Sequence, residues 1–485
     1  MQQIVDLPVF RATCNPSGPC IADEREQLDN AEFARRVRVA ATILHRHGVR
    51  SGDVVAVVLP NRLEFVVILF AAWRLGAAVT PVRPESTAEE VNYQVGDCRA
   101  RVVVTEAGAC GTLGLAELAG AEIDRSEVVR VESGCAALVI YTSGTTGRPK
   151  GVVLDHANIA AMCAMLVGAL ELDDTDHSLL ILPLFHVNGI MASILSPLLA
   201  GGQATIAGRF SASAFFDLVE RVRPTYFSAV PSIYAILVVQ PVELTPDISS
   251  LRRVICGAAP MPAELIERFE TRFGVPIVEG YGLSEGTCAS TLNPPRGPRK
   301  PGTVGVPLPG QTVAIMDDTG RLLARGTRGE VVIRGANVMR GYLGREEATA
   351  ETVVEGWLHT GDVGYFDQDG YLVLVDRIKD MIIRGGENIY PKEIENVLHA
   401  HPAVLEAAVV GAPDPILGEV PVAHVVPVPG TPIEADALVE HCRRMLSRAK
   451  VPVEIILTEA MPRNAVGKID KRQLRALVAD VMSGD

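Results

Sequence analysis

The 485-residue sequence lacks any excess of positive charge. Its 45 lysines and arginines are outnumbered by 58 aspartates and glutamates, which gives a formal net charge of −13 at pH 7. Nucleic acids and anionic membranes are bound through basic surfaces, so we expect neither as the main partner. A nucleotide is still compatible with this charge, because a local cationic pocket can lie within an acidic protein.

Cysteine pairs and long apolar runs are absent as well. The nine cysteines are scattered and none are spaced as C-x-x-C, so the sequence indicates neither a disulfide framework nor a zinc site. Apolar runs such as 65–73 are too short to cross a bilayer, and we expect no stable membrane insertion. Residues 1–6 do not resemble a secretory signal, and residues 482–485 do not form a peroxisomal signal, so we expect a cytoplasmic protein.

The length and the hydrophobic pattern predict more than one domain. A chain of 485 residues is too long for one core. Strand-like and helix-like segments alternate over 1–130 and 152–290, which is typical of α/β layers with parallel sheet. Short β-rich runs over 301–375 favour a small all-β unit, and 380–485 favours an α+β domain. The clearest predicted elements are strands at 53–59, 101–105, 254–256, 313–316, 330–333 and 371–375, and helices at 30–47, 62–75 and 262–273.

A polar, glycine-rich loop at 141–151 is the most informative segment. It holds three glycines, four serines or threonines and two cations in eleven residues. Backbone N–H groups, hydroxyls and an ammonium can together surround a polyphosphate. The spacing is not that of a Walker A loop, because no Lys-Ser or Lys-Thr pair follows. Apolar runs on both sides predict strand, loop and strand, so no helix dipole would assist.

This loop is one of four motifs that occur together in one known superfamily. The others are Gly280-Tyr281-Gly282-Leu283-Ser284-Glu285, Thr360-Gly361-Asp362 and Gly467-Lys468. In order and spacing they resemble the acyl-adenylate-forming superfamily, which includes acyl-CoA synthetases, adenylation domains and firefly luciferase. The resemblance covers essentially the whole chain. It implies an enzyme that couples a carboxylic acid to ATP, forming acyl-AMP and pyrophosphate, and then transfers the acyl group to a thiol, with Mg²⁺ as cofactor and CoA as co-substrate.

The resemblance also implies which residues bind the nucleotide and CoA. They are Thr142, Ser143, Gly144, Thr145, Thr146, Gly147, Lys150, Gly257, Ala258, Ala259, Gly280, Tyr281, Gly282, Ser284, Asp362, Arg377, Gly385 and Gly386. Tyr281 would stack on adenine, and the Asp362 carboxylate would accept hydrogen bonds from both ribose hydroxyls. Two alternatives remain open at this stage: the small residues at 257–259 could serve tight strand–helix packing, and Asp362 could cap a turn.

Three residues are implied to act in catalysis: Lys468, Glu285 and His186. Lys468 would bridge the substrate carboxylate and the α-phosphate, where negative charge grows in the transition state. Glu285, with Thr142, would bind Mg²⁺, which prefers oxygen ligands. His186 would line the acyl and thiol channel. The open alternatives are a solvated basic stretch around Lys468, a surface glutamate, and a hydrogen-bonded core histidine.

The implied fold is α/β, with a large multi-layer N-terminal domain that includes a small β-barrel-like unit, plus a small mobile α+β C-terminal domain. The boundaries would be 1–376 for the adenylation domain, 377–379 for a hinge and 380–485 for the mobile domain with the catalytic lysine. Lys379 matches the hinge position. Rotation would remove Lys468 from the site and bring Gly385 and Gly386 to the thiol tunnel.

The acid and the acceptor are less closely defined by the sequence. Segments 208–213 and 293–305 resemble the oxalyl-CoA synthetase branch. However, Gly257 and Ala259 replace expected serines, and Asn188 and Cys288 replace expected histidines. A dianion needs such donors when it loses its hydration, so we expect a monocarboxylate with an apolar acyl portion.

Several functional alternatives remain open alongside a CoA ligase. An acyl-AMP ligase that loads an acyl carrier protein shares the same motifs. A nucleotide-binding protein without turnover is disfavoured, because Lys468, Glu285 and Asp362 are all present. Amino acid activation is also disfavoured, because 186–188 contains no aspartate to pair with an α-amino group. We expect a monomer or a homodimer.

Overall fold

The computed structural model describes residues 4–108, 112–118, 131–142, 148–241, 245–259, 261–463 and 469–483. Within these residues the strands form four sheets, one of nine strands, one of seven and two of five. This mixed arrangement, with a large N-terminal part and a smaller C-terminal part, confirms the predicted α/β fold class.

The strands, in chain order, are β1 Pro19–Asp23, β2 Gln27–Asp29, β3 Val54–Val58, β4 Ala78–Val82, β5 Val102–Thr105, β6 Leu113–Gly114, β7 Ala136–Thr142, β8 Lys150–Asp155, β9 His177–Leu180, β10 Gln203–Ile206, β11 Tyr226–Ala229, β12 Val254–Cys256, β13 Ile277–Tyr281, β14 Thr291–Leu292, β15 Val306–Pro307, β16 Gln311–Met316, β17 Gly329–Gly335, β18 Gly341–Tyr342, β19 Val353–Val354, β20 Trp357–Phe366, β21 Leu372–Arg377, β22 Ile382–Arg384, β23 Glu387–Ile389, β24 Val404–Asp414, β25 Gly418–Pro427 and β26 Glu454–Leu457. The α-helices are α1 Leu7–Cys14, α2 Asn30–Arg46, α3 Leu63–Arg74, α4 Ala88–Asp97, α5 Leu115–Leu118, α6 His156–Ala169, α7 Val187–Ile190, α8 Ser196–Leu199, α9 Phe215–Val222, α10 Pro231–Val238, α11 Ala263–Phe273, α12 Glu346–Thr352, α13 Pro391–His399, α14 Ala435–Met445 and α15 Lys471–Ser483. A π-helical segment, Met191–Leu195, joins α7 to α8, and 3₁₀ turns lie at Ile4–Asp6, Ser284–Gly286, Ile378–Asp380 and Arg448–Lys450.

The nine-stranded sheet has the order β15-β14-β13-β12-β11-β9-β10-β1-β2. Its strands from β1 to β13 along this order are parallel, and the outer pairs are antiparallel. The carboxyl end of β13 leads directly into 282–286. Ligands in such sheets bind beyond the carboxyl ends of the strands, so this edge is where a site is expected.

The seven-stranded sheet has the order β18-β8-β7-β4-β3-β5-β6. β7 and β8 pair antiparallel, with Thr142 opposite Lys150, so the predicted arrangement of strand, loop and strand is confirmed. Residues 143–147 of this loop lie outside the described residues. Helix α3 is apolar around its whole circumference and belongs to the largest core, as a helix covered on all sides requires.

The segment 301–375 differs from the all-β prediction in two respects. β16, β17, β19, β20 and β21 do form an antiparallel sheet, with β16 at one edge and β19 and β21 sharing the other side of β20. However, the segment also contains helix α12, and β18 leaves it to pair with β8 at the edge of the seven-stranded sheet. A two-residue strand carries no periodicity, so this crossing could not be detected in the sequence.

The C-terminal sheet has the order β23-β22-β25-β24, with β26 pairing β25. Helices α13 and α14 pack on one core through residues such as Ile394 and Leu438, and α15 packs on a second through Leu474 and Val478. Each helix thus covers the sheet with one apolar stripe, as expected for an α+β domain. No helix in the described ranges has both the length and the apolar character needed to span a membrane.

Candidate active site

The side chain of Asp362 is fixed by two neighbours at the junction of two sheets. Asp362 on β20 lies opposite Arg377 on β21, and the Arg377 Nε donates to Oδ1 at 2.6 Å. Tyr281, from the end of β13, donates its hydroxyl to Oδ2 at 2.5 Å. Asp362 is only 8% exposed. Each carboxylate oxygen keeps a further lone pair, so the group can accept additional hydrogen bonds from a ligand.

Asp362 does not act as a turn cap within the described residues, because no backbone N–H there donates to its carboxylate. Its own N–H donates to Thr360 Oγ1 at 3.1 Å, which fixes its backbone. Burial, followed by the neighbouring Asp362 carboxylate, raises the pKa of Tyr281 well above its usual value. The phenol therefore stays protonated and remains a donor at neutral pH.

Glu285 lies four residues after Tyr281, in the 3₁₀ turn that begins at Ser284. Tyr342, on β18, donates its hydroxyl to Glu285 Oε1 at 2.9 Å. The ammonium of Lys150 lies over the Tyr342 ring, 4.9 Å from the ring centroid. Lys150 is the first residue of β8, opposite Thr142, so both belong to the strands that flank the glycine-rich loop.

The donor set around Glu285 is suited to Mg²⁺ rather than to zinc. Glu285 offers a hard oxygen ligand. Among the described residues, no group of three or more His, Cys, Asp or Glu side chains could hold a metal ion. Magnesium commonly takes one or two carboxylates and completes its shell with substrate phosphates and water, and Glu285 fits that use. Thr142 lies at the end of β7, where its hydroxyl could contribute.

The glycines near the end of β13 lack side chains for different structural reasons. A Cβ on Gly282 would lie 1.8 Å from the Cys288 carbonyl oxygen, and one on Gly280 would lie 2.8 Å from Leu292 Cδ1. Gly282 is thus required by packing, and a side chain on Gly280 would also crowd the Thr291 carbonyl oxygen, at 3.0 Å. A Cβ on Gly257 would meet only the Gly280 carbonyl, at 3.5 Å, and Asn188 Nδ2, at 4.0 Å. Gly257 therefore leaves space that a ligand could approach, and beside it Ala258 has a positive φ of 69°.

We predict opposite outcomes for alanine at two of these glycines. Gly282→Ala should lower the free energy of unfolding by about 1–3 kcal/mol or more, because the added carbon overlaps the Cys288 carbonyl. Gly257→Ala should leave stability within about 0.5 kcal/mol, since its contacts are ordinary, while weakening nucleotide or acid binding. Denaturant unfolding and ATP titration of both variants would check this. Equal stability of the two variants would contradict the packing argument.

His186 begins the short helix α7 in a half-buried position. Its N–H donates to the Pro183 carbonyl at 3.2 Å, and its ring packs edge-on against Phe185 at 4.5 Å between centroids. Two residues later, the Oδ1 of Asn188 is buried without a hydrogen-bond partner among the described residues. Asn188, rather than His186, is the residue of this segment that lies near Gly257, since its Nδ2 would be 4.0 Å from a Cβ there.

A buried carboxylate precedes the Gly280-Tyr281 pair. Glu279 is 4% exposed, and its Oε1 accepts from the Met261 N–H at 3.1 Å. Burial raises its pKa to about 7, while the Met261 N–H and the charge of Lys392 act in the opposite direction. Because Lys392 belongs to α13, the pKa of Glu279 depends in part on a charge in the C-terminal part of the chain.

The segment 377–380 connects β21 to the C-terminal sheet through a 3₁₀ turn that contains Lys379. Arg475 on α15 donates to Asp380 Oδ1 at 3.1 Å and to the Lys379 carbonyl at 3.4 Å. The Lys392 N–H donates to Asp376 Oδ2 at 2.9 Å across the turn. The turn is therefore held from both sides.

The remaining predicted residues of the C-terminal part are placed as follows. Gly385 and Gly386 form the exposed turn between β22 and β23, with φ of 58° and 87°, beside Leu417. Gly385 lies against Leu417, which precedes β25, and a Cβ on Gly386 would meet nothing within 4 Å, so neither glycine contacts Asp362 or Glu285. Lys468 lies outside the described residues.

Two parts of the chain match known protein families. Residues 10–343 match the AMP-binding enzyme family, and residues 393–468 match the AMP-binding enzyme C-terminal domain. This chain belongs to the AMP-binding enzymes.

Similar AMP-binding enzymes match over nearly the whole length. A feruloyl-CoA synthase from an Amycolatopsis species is 38% identical, covering 98% of this chain and 99% of that protein. An oxalate–CoA ligase from Arabidopsis thaliana is 36% identical, covering 90% of each. Among solved structures, ATP-bound MatB from Rhodopseudomonas palustris aligns with a TM-score of 0.93 at 30% identity, over 99% of this chain and all of that one. Apo MatB from the same organism aligns with a TM-score of 0.81 over 99% of each chain.

Several of the residues predicted for this AMP-binding enzyme lie together in the structure. Tyr281, Asp362 and Arg377 are in direct contact, and Glu285 follows Tyr281 in the next turn. Tyr342 and Arg475 were not predicted, although each contacts a predicted residue. For Tyr342 the only signal is its place in Gly341-Tyr342-Leu343-Gly344, which does not by itself indicate a site.

Proposed function

We propose that this AMP-binding enzyme is an ATP-dependent acid–CoA ligase. It joins a carboxylic acid to ATP, giving acyl-AMP and pyrophosphate, and then transfers the acyl group to the CoA thiol with release of AMP. The observation that carries this proposal is a pair of carboxylates near the end of β13: Asp362 of β20, held by Tyr281 and Arg377, and Glu285, held by Tyr342. The named activities of the similar enzymes support it.

The first step joins two anions, so the site must supply positive charge and positioning. Asp362 would bind the ribose hydroxyls and thereby orient the nucleotide. Lys150 would face the phosphates from the base of the glycine-rich loop. Glu285 and Thr142 would hold Mg²⁺, which neutralises phosphate charge when it is bound. Lys468 would approach the substrate carboxylate and the α-phosphate.

The acid is a monocarboxylate with an apolar acyl portion. The side chains predicted to face it beyond His186, namely Asn188 and Cys288, are uncharged, and Gly257 and Ala259 add no polar group. A second carboxylate at this depth would lose its hydration without gaining a cation, which is strongly unfavourable. Hydroxycinnamic acids are the first probes, because the feruloyl-CoA synthase is similar over its whole length.

A panel of acids would test this function. Ferulate, 4-coumarate, indole-3-acetate, decanoate, oxalate and malonate would each be assayed for acid-dependent exchange of labelled pyrophosphate into ATP, and then for AMP release with CoA. We expect exchange with apolar monocarboxylates and thioester only when CoA is present. Exchange that supports no CoA thioester, but loads a carrier protein, would favour the alternative acceptor. No exchange with any acid would refute the proposal.

We also propose that residues 1–376 and 380–485 act as two units about a hinge at 377–379. The better alignment with ATP-bound MatB than with apo MatB, at the same identity, supports an arrangement suited to the first half-reaction. The exposed Gly385-Gly386 turn also supports it, because those glycines would reach the thiol tunnel only after rotation. A cytoplasmic location and a monomer or homodimer remain predictions.

Lys379→Pro should impair thioester formation at least tenfold more than acyl-AMP formation. Proline fixes φ, so the turn could no longer adopt a second conformation. Single-turnover measurement of each half-reaction, the second with supplied acyl-AMP and CoA, would show the difference. Lys379→Ala, which keeps backbone freedom, is the matched control and should retain both half-reactions. Unchanged thioester formation in the proline variant would remove the hinge from Lys379.

A further inference from the structure

Tyr342 joins three parts of the molecule at the candidate site. Its backbone lies in β18, which pairs with Val152 and Val153 of β8 at the edge of the seven-stranded sheet. Its hydroxyl reaches Glu285, which follows the nine-stranded sheet, at 2.9 Å. Its chain segment comes from 301–375, between the strands of the small antiparallel sheet. Tyr342 thus links β8 to the turn that contains Glu285.

The same side chain contacts a cation and an anion that would otherwise attract each other. Lys150 lies over the ring at 4.9 Å, and the phenol donates to Glu285 Oε1. Within the described residues, no ion pair forms on Lys150 or Glu285, and the one side-chain hydrogen bond to the Glu285 carboxylate is that from Tyr342. The ring face and the hydroxyl therefore satisfy both groups without joining them, which leaves each charge available for a ligand.

The backbone of Tyr342 is fixed, because the Tyr342 N–H donates to Thr349 Oγ1 at 2.9 Å and the Leu343 N–H donates to the Gly151 carbonyl at 2.8 Å. Backbone contacts on both sides of the phenol therefore set its position relative to Glu285 and Lys150.

We propose that Tyr342 is a positioning residue that holds Glu285 and Lys150 apart and oriented before Mg²⁺ and the ATP triphosphate bind. This inference rests on the proposed function, because it assigns Glu285 to the metal and Lys150 to the phosphates. The hydroxyl orients the metal-binding carboxylate, and the ring face restrains the ammonium. The two parts of the side chain can therefore be tested separately.

Calorimetric titration of the full chain with ATP, without acid, measures both parts. Titrations with Mg²⁺ present and with EDTA would be compared for wild type, Tyr342→Phe and Tyr342→Leu. Tyr342→Phe keeps the ring and loses the hydroxyl, so Kd for Mg-ATP should rise about tenfold while Kd for metal-free ATP changes less than twofold. Tyr342→Leu also loses the ring, so Kd for metal-free ATP should rise about threefold.

The chain offers a closely matched control in Tyr371. Its hydroxyl donates to the Pro298 carbonyl at 2.7 Å, and Lys300 lies over its ring at 4.7 Å. Tyr371→Phe should change neither Kd by more than twofold. A similar effect of Tyr371→Phe and Tyr342→Phe would indicate general destabilisation and overturn the proposal.

Two further outcomes separate this inference from the proposed function. The positioning role is overturned if Tyr342→Phe binds Mg-ATP as tightly as wild type, or if it weakens the binding of Mg-ATP and of metal-free ATP equally. The proposed ligase function would stand in either case. Wild type that binds no ATP at all refutes the proposed function itself. Pyrophosphate exchange measured against Mg²⁺ concentration gives a second reading, in which Tyr342→Phe, but not Tyr371→Phe, should shift the half-saturating concentration by about tenfold.

Discussion

Lys468→Ala should slow acyl-AMP formation by about 10³-fold or more, while acyl transfer from supplied acyl-AMP to CoA is largely retained. The lysine is predicted to contact the substrate carboxylate and the α-phosphate only where negative charge develops, and loss of one such donor typically costs 10²- to 10³-fold. In the proposed cycle the second half-reaction would use the other orientation of the C-terminal unit and would not need this ammonium. Single-turnover assays of each half-reaction would measure the two effects.

Arg472→Ala is the control for this variant. Arg472 lies in the first turn of α15 and is exposed, so its removal deletes a nearby positive charge without touching the predicted contact. We expect both half-reactions to stay within twofold of wild type. Equal loss of the two half-reactions in Lys468→Ala would count against the assigned role, and an intact first half-reaction would remove it.

Asp362→Ala is expected to raise KM for ATP by about 100-fold or more. The substitution deletes the proposed ribose acceptor and also leaves Tyr281 and Arg377 without the acceptor that fixes them. Removing one partner of a buried, charge-assisted network typically costs several kcal/mol, and about 2.7 kcal/mol corresponds to this 100-fold change. Thermal unfolding with and without ATP should show that the variant folds but gains little stability from the nucleotide.

Asp367→Asn provides the comparison. Asp367 lies just after β20 and pairs with Lys300 at 2.8 Å. Its loss therefore perturbs the same small sheet but leaves the hydrogen bonds of Asp362 to Tyr281 and Arg377 in place. It should lower the melting temperature and leave KM for ATP nearly unchanged. Asp362→Ala with a normal KM for ATP would show that the carboxylate has only a structural use.

Elements with strong local patterns were predictable from the sequence. The helices at 30–47 and 62–75 were placed within one or two residues, because their apolar spacing and their ends are both marked. The strands that flank the glycine-rich loop were also correct, since each is a short apolar run next to glycine or proline. Asp362, Tyr281 and Arg377 were expected to serve one ligand, and they are in contact.

Contacts that depend on topology could not be predicted. Tyr342 is separated from Lys150 by nearly two hundred residues, and they meet only because β18 adds to the edge of β8. Gly280 and Gly282 were predicted to bind the nucleotide, yet residues 288–292 lie close enough to both that a side chain there would be crowded. Glycine next to a motif does not indicate which neighbour needs the space, because that neighbour is identified only by the fold.

The hydrogen bonds from Arg475 to the turn after β21 would limit the proposed rotation of the two units. In the proposed rotation the Lys379 carbonyl and the Asp380 carboxylate would move with the C-terminal unit, because Arg475 on α15 donates to both. On the other side, Arg377 is bonded to Asp362. The torsions around Ile378 would then be the axis of the movement, the bond from the Lys392 N–H to Asp376 would have to open, and one inserted residue at this point would misalign the surface presented to the nucleotide.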